Sequence, residues 1–376
     1  MTQYRFLEPL DVLFLRGNKL FGDPGSYGES LIPPWPSVAA GALRSRILAD
    51  DGVNLTDFSS GKVPHPTLGT PAAPGSFAVT SFHLARRDTQ GRIETLHPLP
   101  ADIVITKRDD ESVQVSLMKP QTPAAALLSS SPLPQIVVLA EDKRAKPEGG
   151  YWFNAKGWKK YLNGQALSAN EDLVTTGELW ALDSRVGVGL DAVTGRADDG
   201  KLFTVQAVAF KQDVGFLTGV IGAELPDAGL VRLGGDGRAA AVHTVIDFEP
   251  IKPDYEAIAK TGRCRVVLTA PGLFPEGWKL PGLDAELNWR LGELGAKLVA
   301  AAVPRAEVIS GWDLAKWQPK PAQRAAPTGS VYWLDELIAT PDALCKLVEC
   351  GLWLSTDDNP SRRAEGFNRF TLAAWL

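Results

Sequence analysis

The run Leu233-Gly234-Gly235-Asp236-Gly237-Arg238 sets three glycines beside an arginine. Glycine enters the backbone conformations in which successive N–H groups converge on an anion, and arginine adds a fixed positive charge. A phosphate of an RNA backbone fits such a nest. A glycine-rich turn between a helix and a strand, with Arg238 on the surface, fits the same residues. Ser37, Gly41 and Arg44 recur along one face of a predicted helix. There, small residues admit a close backbone and the N-terminal amides face an anion. Close helix packing at Gly41 with Arg44 solvated is the alternative. A third group interleaves Lys143, Arg144, Lys146, Lys156, Lys159 and Lys160 with Tyr151, Trp152, Phe153, Trp158 and Tyr161. These types pair with phosphates and stack on unpaired bases, and they equally suit a docking arm for a protein partner.

Other patterns carry less chemistry. Gly195 to Leu202 has the glycine and lysine spacing of a phosphate-binding loop, but Leu202 stands where a hydroxyl must hold magnesium, and the loop precedes a strand. It reads as a tight turn. His65, His83, His97 and His243 lack metal-ligand spacing, and no Ser-His-Asp or Cys-His motif is present. Cys264, Cys345 and Cys350 cannot build a disulfide framework and read as small buried side chains. No metal and no cofactor is expected.

The elements that position these residues must fit a chain of 376 residues, 44% hydrophobic and 22% charged, with 36 glycines and 28 prolines. That length exceeds one ordinary core, so two domains are expected. Abundant glycine and proline imply short elements and many turns. The net charge of -5 gives no global attraction for a polyanion, so RNA binding requires local basic surface. The N-terminus has acids where a signal peptide needs a basic region, and no stretch is apolar enough to span a bilayer, which points to the cytoplasm.

Periodicity predicts a strand at Tyr4–Leu7 and a helix from Ser37, as N-cap, to about Ala49 with Ala39, Leu43 and Ile47 inward. Strands follow at 77–85 and 93–105, then a helix at 171–182 and a strand at 201–210. The order strand, helix, strand, strand, helix, strand is that of a ferredoxin-like domain with residues 120–164 inserted. The second half predicts a strand at 214–221, a short helix near 227–233, strands near 239–246, 263–268, 307–309 and 330–334, a helix at 341–350 and a last strand at 370–373. The fold class is therefore α+β, two ferredoxin-like domains covering 1–212 and 213–376.

The stretch Phe6-Leu7-Glu8-Pro9-Leu10-Asp11-Val12-Leu13-Phe14-Leu15-Arg16-Gly17-Asn18, followed by Ile32-Pro33-Pro34-Trp35-Pro36-Ser37-Val38-Ala39-Ala40-Gly41-Ala42-Leu43-Arg44-Ser45, resembles the N-terminus of the handle-binding RAMP subunit of the type III-B CRISPR Cmr effector module. Arg185 to Asp191 with Gly200 to Phe203, Leu233 to Arg238, Ser310-Gly311-Trp312, Pro327 to Tyr332 and Glu365 to Phe370 resemble the same family in the same order. The resemblance implies two ferredoxin-like (RRM-like) domains and a subunit that is not the nuclease. It would hold the 5′ handle of the crRNA and contact the polymerase-like large subunit and the backbone RAMP subunits in antiviral defence. Carried over residue by residue, RNA contacts are expected at Arg16, Asn18, Lys19, Ser37, Gly41, Arg44, Gly234, Gly235, Asp236, Gly237, Arg238 and Arg324. They are also expected at Gly366, Phe367, Asn368 and Arg369, where Asn368 stands in place of a glycine more typical of RAMP loops. The alternatives are a metal-independent RAMP endoribonuclease maturing crRNA, with His83 or His243 as general base, and a protein that touches only other proteins.

Overall fold

The computed structural model describes residues 1–17, 27–108, 110–124, 129–141, 146–191, 193–313, 316, 318–355 and 357–375. Helices and strands are mixed, with few helices and mostly antiparallel sheets. The chain forms two compact units, one from residues 1–94, 176–248 and 308–323 and the other from 95–175, 249–307 and 324–376. The expected division at residue 212 does not coincide with these units. The reason lies in strand pairing: the N-terminal strand Gln3–Pro9 is central in its sheet and takes both neighbours, Val214–Ile221 and Ala239–Val245, from beyond that boundary.

In the first unit, Ala78–Arg87, Val214–Ile221, Gln3–Pro9, Ala239–Val245 and Ala228–Arg232 pair antiparallel in that order. Side chains alternate faces along a strand, so the register aligns Leu84, Phe216, Leu7 and Val242 in one buried row. The helix Pro36–Asp50 contacts Ala78–Arg87 and Ala228–Arg232 and buries Ala39, Ala40, Leu43 and Ile47. It begins two residues before the expected start, with Trp35 rather than Ser37 at the cap, because proline's fixed φ suits the first helical position. A long hairpin, Trp180–Leu190 with Ala197–Phe210, adds a small cluster in which Val205 and Ala207 pack with Val12 and Phe14.

In the second unit, Asn288–Leu291, Leu294–Ala302, Val331–Ile338, Cys264–Leu268 and Phe370–Ala374 form an antiparallel sheet in that order. Val266, Leu298, Leu334 and Leu372 pack with Ile258 of the helix Tyr255–Thr261 and Leu344 and Leu347 of the helix Pro341–Cys350. Val267, Val331, Trp333 and Ala373 pack instead with Ile103, Ile105, Phe153, Trp158 and Tyr161. Within this layer, Arg265 donates to Asp102 at 2.6 Å and Tyr161 donates to the same carboxylate at 2.8 Å.

Three predicted elements differ. The stretch 171–182 forms no single helix: Ala169–Asp172 and Thr176–Leu179 are separate turns of helix around the strand Leu173–Thr175, and a strand starts at Trp180. Val174, Thr175 and Thr176 are β-branched and Gly177 follows, a poor helical run, and Leu173–Thr175 gains pairing with Tyr151–Phe153 instead. The stretch 93–105 is two strands, broken by Pro98 and Pro100. The short helix near 227–233 is the strand Ala228–Arg232, held in register by Ala239–Val245.

Candidate nucleic-acid interface

The loop 233–238 is the turn joining Ala228–Arg232 to Ala239–Val245. Its closure is local: Leu233 N donates to Arg238 O at 2.8 Å, and Arg238 N to Gly235 O at 3.3 Å. Gly234, Asp236 and Gly237 have φ of 80°, 56° and 66°. Such angles are open to glycine and tolerated by aspartate, which explains the composition.

Residues 13–16 anchor this turn to its surroundings. Leu13 exchanges backbone hydrogen bonds with Val208, Phe14 O accepts from Gly235 N at 2.8 Å, Leu15 O accepts from Leu31 N at 2.7 Å, and Arg16 bridges Ser30. The fold therefore brings Arg16 to the loop across a sequence separation of more than 200 residues. Arg16 Nη2 donates to Asp236 Oδ1 at 3.2 Å, and Arg238 Nη1 donates to Asp11 Oδ2 at 2.6 Å. Arg238 also lies over the Phe14 ring, 5.2 Å from its centroid, where a guanidinium is held against the ring's negative face. Gly235 N–H and Arg238 N–H donate inside the fold, so these two amides are used within the turn itself. The turn thus gathers two arginine and two aspartate side chains, each arginine paired with one carboxylate.

On the helix Pro36–Asp50, Arg44 sits over the Phe77 ring at 4.9 Å. Gly41 is exposed, and a Cβ there would meet nothing within 4 Å. Close helix packing at Gly41 is therefore excluded and the helix backbone lies open beside it. Asn18 and Lys19 fall outside the described residues. Arg324 is exposed on the strand Gln323–Ala325. Gly366 to Arg369 belong to the interior of the second unit. Phe367 is fully buried, and Asn368 accepts from Leu273 N at 2.7 Å and donates to Leu352 O at 3.0 Å. Arg369 donates to Glu349 O at 2.7 Å, and burial pushes its guanidinium down to about 10.

The basic and aromatic stretch also turns inward. Trp152, Phe153, Trp158 and Tyr161 are buried, Lys156 pairs with Glu171, and Lys160 with Asp172. As a platform for bases it is closed, because Phe153, Trp158 and Tyr161 cover the second unit's sheet. Lys143 and Arg144 lie outside the described residues.

His83 and His243 fall in one row across the first sheet, His83 opposite Leu217, Leu217 opposite Phe6 and Phe6 opposite His243. Three strand spacings of about 4.8 Å separate them by roughly 14 Å. Burial pushes His83 down to about 4, so it carries no proton at neutral pH. His243 Nε2 lies 2.9 Å from Glu8 Oε2, which also accepts from Arg87 at 2.9 Å. Sequence reasoning missed Asp11 and Phe14 as neighbours of Arg238, since only the pairing of Gln3–Pro9 with Ala239–Val245 brings them there. Among the described residues, no group of three or more His, Cys, Asp or Glu is placed to hold a metal ion, and no helix is long and apolar enough to cross a membrane.

The family model for CRISPR-associated protein (Cas_Cmr3) matches residues 5–375. The chain belongs to that family. Its fold is also similar to chains in two solved structures of the type III-B Cmr-β complex, one bound to cognate target RNA and AMPPnP and one to cognate target RNA. The TM-scores are 0.45 and 0.46, each at 16% identity over 88% of this chain and 86% of the other. No curated protein matches.

Proposed function

We propose that this Cmr-family chain is a non-catalytic crRNA-binding subunit of a type III-B effector complex. In this reading it holds the 5′ handle and bridges the polymerase-like large subunit to the backbone RAMP subunits, in the cytoplasm and with no cofactor. Its units are read as two elaborated ferredoxin-like domains. The observation that carries the reading is the convergence of Arg16 and Arg238 on one exposed turn, with Asp11, Phe14 and Asp236 around them. Guanidinium groups suit bidentate capture of phosphate oxygens, and Phe14 limits the freedom of Arg238 before RNA arrives. The open surface at Gly41 beside Arg44 supports a second contact on the first helix.

A maturation nuclease fits less well. Either histidine alone is poorly placed as the general base: burial makes His83 a weak base, pushed down to about 4, and His243 Nε2 lies 2.9 Å from Glu8 Oε2.

The test is binding of the purified chain to crRNA with its own 5′ handle and with a scrambled handle, at two salt concentrations. Preference for the true handle is expected, with R238A and R16A each weakening it and lowering the salt slope by about 0.7 per lost phosphate contact. Handle affinity indifferent to both substitutions refutes the site. RNA cleavage in EDTA that is lost in H83A or H243A refutes the non-catalytic reading.

A further inference from the structure

Among the described residues, two ion pairs meet at the 233–238 turn, each neutral in itself: Arg16 with Asp236 and Arg238 with Asp11. Both pairs are accessible, with Asp236 at 51% and Asp11 at 59% side-chain exposure. A paired cation and anion act at a distance as a dipole, and salt screens what remains beyond about 8–10 Å. These two pairs therefore give an approaching polyanion little positive field at a distance, and the whole chain, at -5, repels it.

The acids are also built in. Asp236 occupies a left-handed position, φ 56°, between Gly235 and Gly237, where glycine would sit without strain. Asp11 is oriented by its own backbone: Oδ1 accepts from Val12 N at 2.7 Å while Oδ2 faces Arg238.

Resting on the reading of this turn as an RNA contact, we propose that Asp11 and Asp236 are specificity residues. They hold Arg238 and Arg16 neutral toward arbitrary RNA, and they yield only to a strand whose phosphates reach both arginines together. A single phosphate that displaces one carboxylate exchanges one charge-assisted hydrogen bond for another and gains little. Two phosphates fixed at the right spacing by the fold of the handle replace both, and the ordering of the second contact is already accomplished by the first. Discrimination then comes from penalising wrong ligands as well as from contacting the right one.

The test uses the purified full chain, fluorescence anisotropy, and RNAs carrying the true or a scrambled handle at two salt concentrations. D11N, D236N and D11N/D236N remove charge while keeping an acceptor at each position, and asparagine tolerates the left-handed conformation. The double variant is expected to bind scrambled RNA roughly tenfold tighter, with a salt slope steeper by about 1.4 for two newly used arginines. Its affinity for the true handle changes less than about threefold, so the preference collapses. R16A/R238A separates the site from its specificity. If it leaves handle binding unchanged, the turn is not the RNA site and the specificity role falls with it. If it weakens handle binding while D11N/D236N leaves scrambled binding unaltered, or weakens binding to both RNAs, the site stands and the specificity role is overturned. In the last case the carboxylates position the arginines for RNA. The single variants guard against a folding defect in the double one, and thermal unfolding of each is measured alongside.

Discussion

Gly234 and Gly237 sit three residues apart in one turn, and they should not respond alike to alanine. At Gly234 the φ of 80° places an L side chain in the left-handed region, which costs about 1–2 kcal/mol. A Cβ there would lie 2.8 Å from Phe14 O, closer than real Cβ contacts, so the Phe14 carbonyl must move. That carbonyl accepts from Gly235 N at 2.8 Å, and losing the bond adds about 1 kcal/mol. G234A should therefore destabilise the first unit by about 2–3 kcal/mol. At Gly237 the φ is 66° but a Cβ would meet nothing within 4 Å, so only the conformational cost of about 1–2 kcal/mol applies, about 1 kcal/mol less than at Gly234. Urea unfolding of both variants against the wild type measures the difference. The same displacement reaches Arg16, two residues beyond Phe14, so G234A should also weaken binding to handle RNA more than G237A does. Equal unfolding midpoints for the two variants would refute the claim that the Phe14 carbonyl anchors the turn.

Other substitutions separate structural from ligand-facing cations. D102A leaves Arg265 buried without its carboxylate in the second unit and should cost about 3–5 kcal/mol. Y161F removes one hydrogen bond to Asp102 and should cost about 1–2 kcal/mol in the same urea titration. R369M removes a buried guanidinium bonded to Glu349 O; a lowered melting temperature with unchanged RNA affinity is expected, the reverse of R238A. His83, pushed down to about 4, is neutral when folded, whereas the unfolded chain takes up a proton at its ordinary 6.5. Its contribution is fully present above pH 6.5 and is lost as the pH falls toward 4, by up to roughly 3 kcal/mol. H83Q should flatten that part of the stability profile measured by chemical unfolding between pH 7 and 4.

Elements with a strong local pattern are legible in the amino-acid sequence: the strand Val214–Ile221 and the helix Pro341–Cys350 lie where hydrophobicity and capping put them. The failures share a cause. Residues 171–182 are interrupted by Val174, Thr175, Thr176 and Gly177, a poor helical run, and what replaces the helix is set by a partner strand some twenty residues upstream, which no local window contains. The lysines and aromatic rings of 151–162 have the composition of an RNA platform, yet Phe153, Trp158 and Tyr161 pack with Val267, Trp333 and Ala373, more than 100 residues away, and Lys156 and Lys160 pair with Glu171 and Asp172. Composition names what a side chain can bind and leaves open whether the chain itself already binds it.

The charged groups show the same rule at the candidate site. Arg16 and Arg238 are legible as cations, and Gly234 to Gly237 as a turn, because each property is local. Their neutralisation is not, since Asp11 meets Arg238 only through the antiparallel register that sets Pro9 against Ala240. If the turn binds RNA as proposed, in a chain of net charge -5, its cations must act at contact, and discrimination asks that they stay silent at a distance. Pairing each arginine with an exposed carboxylate meets both demands, because the pair has little field beyond a Debye length yet still offers its donors to a phosphate that arrives in register.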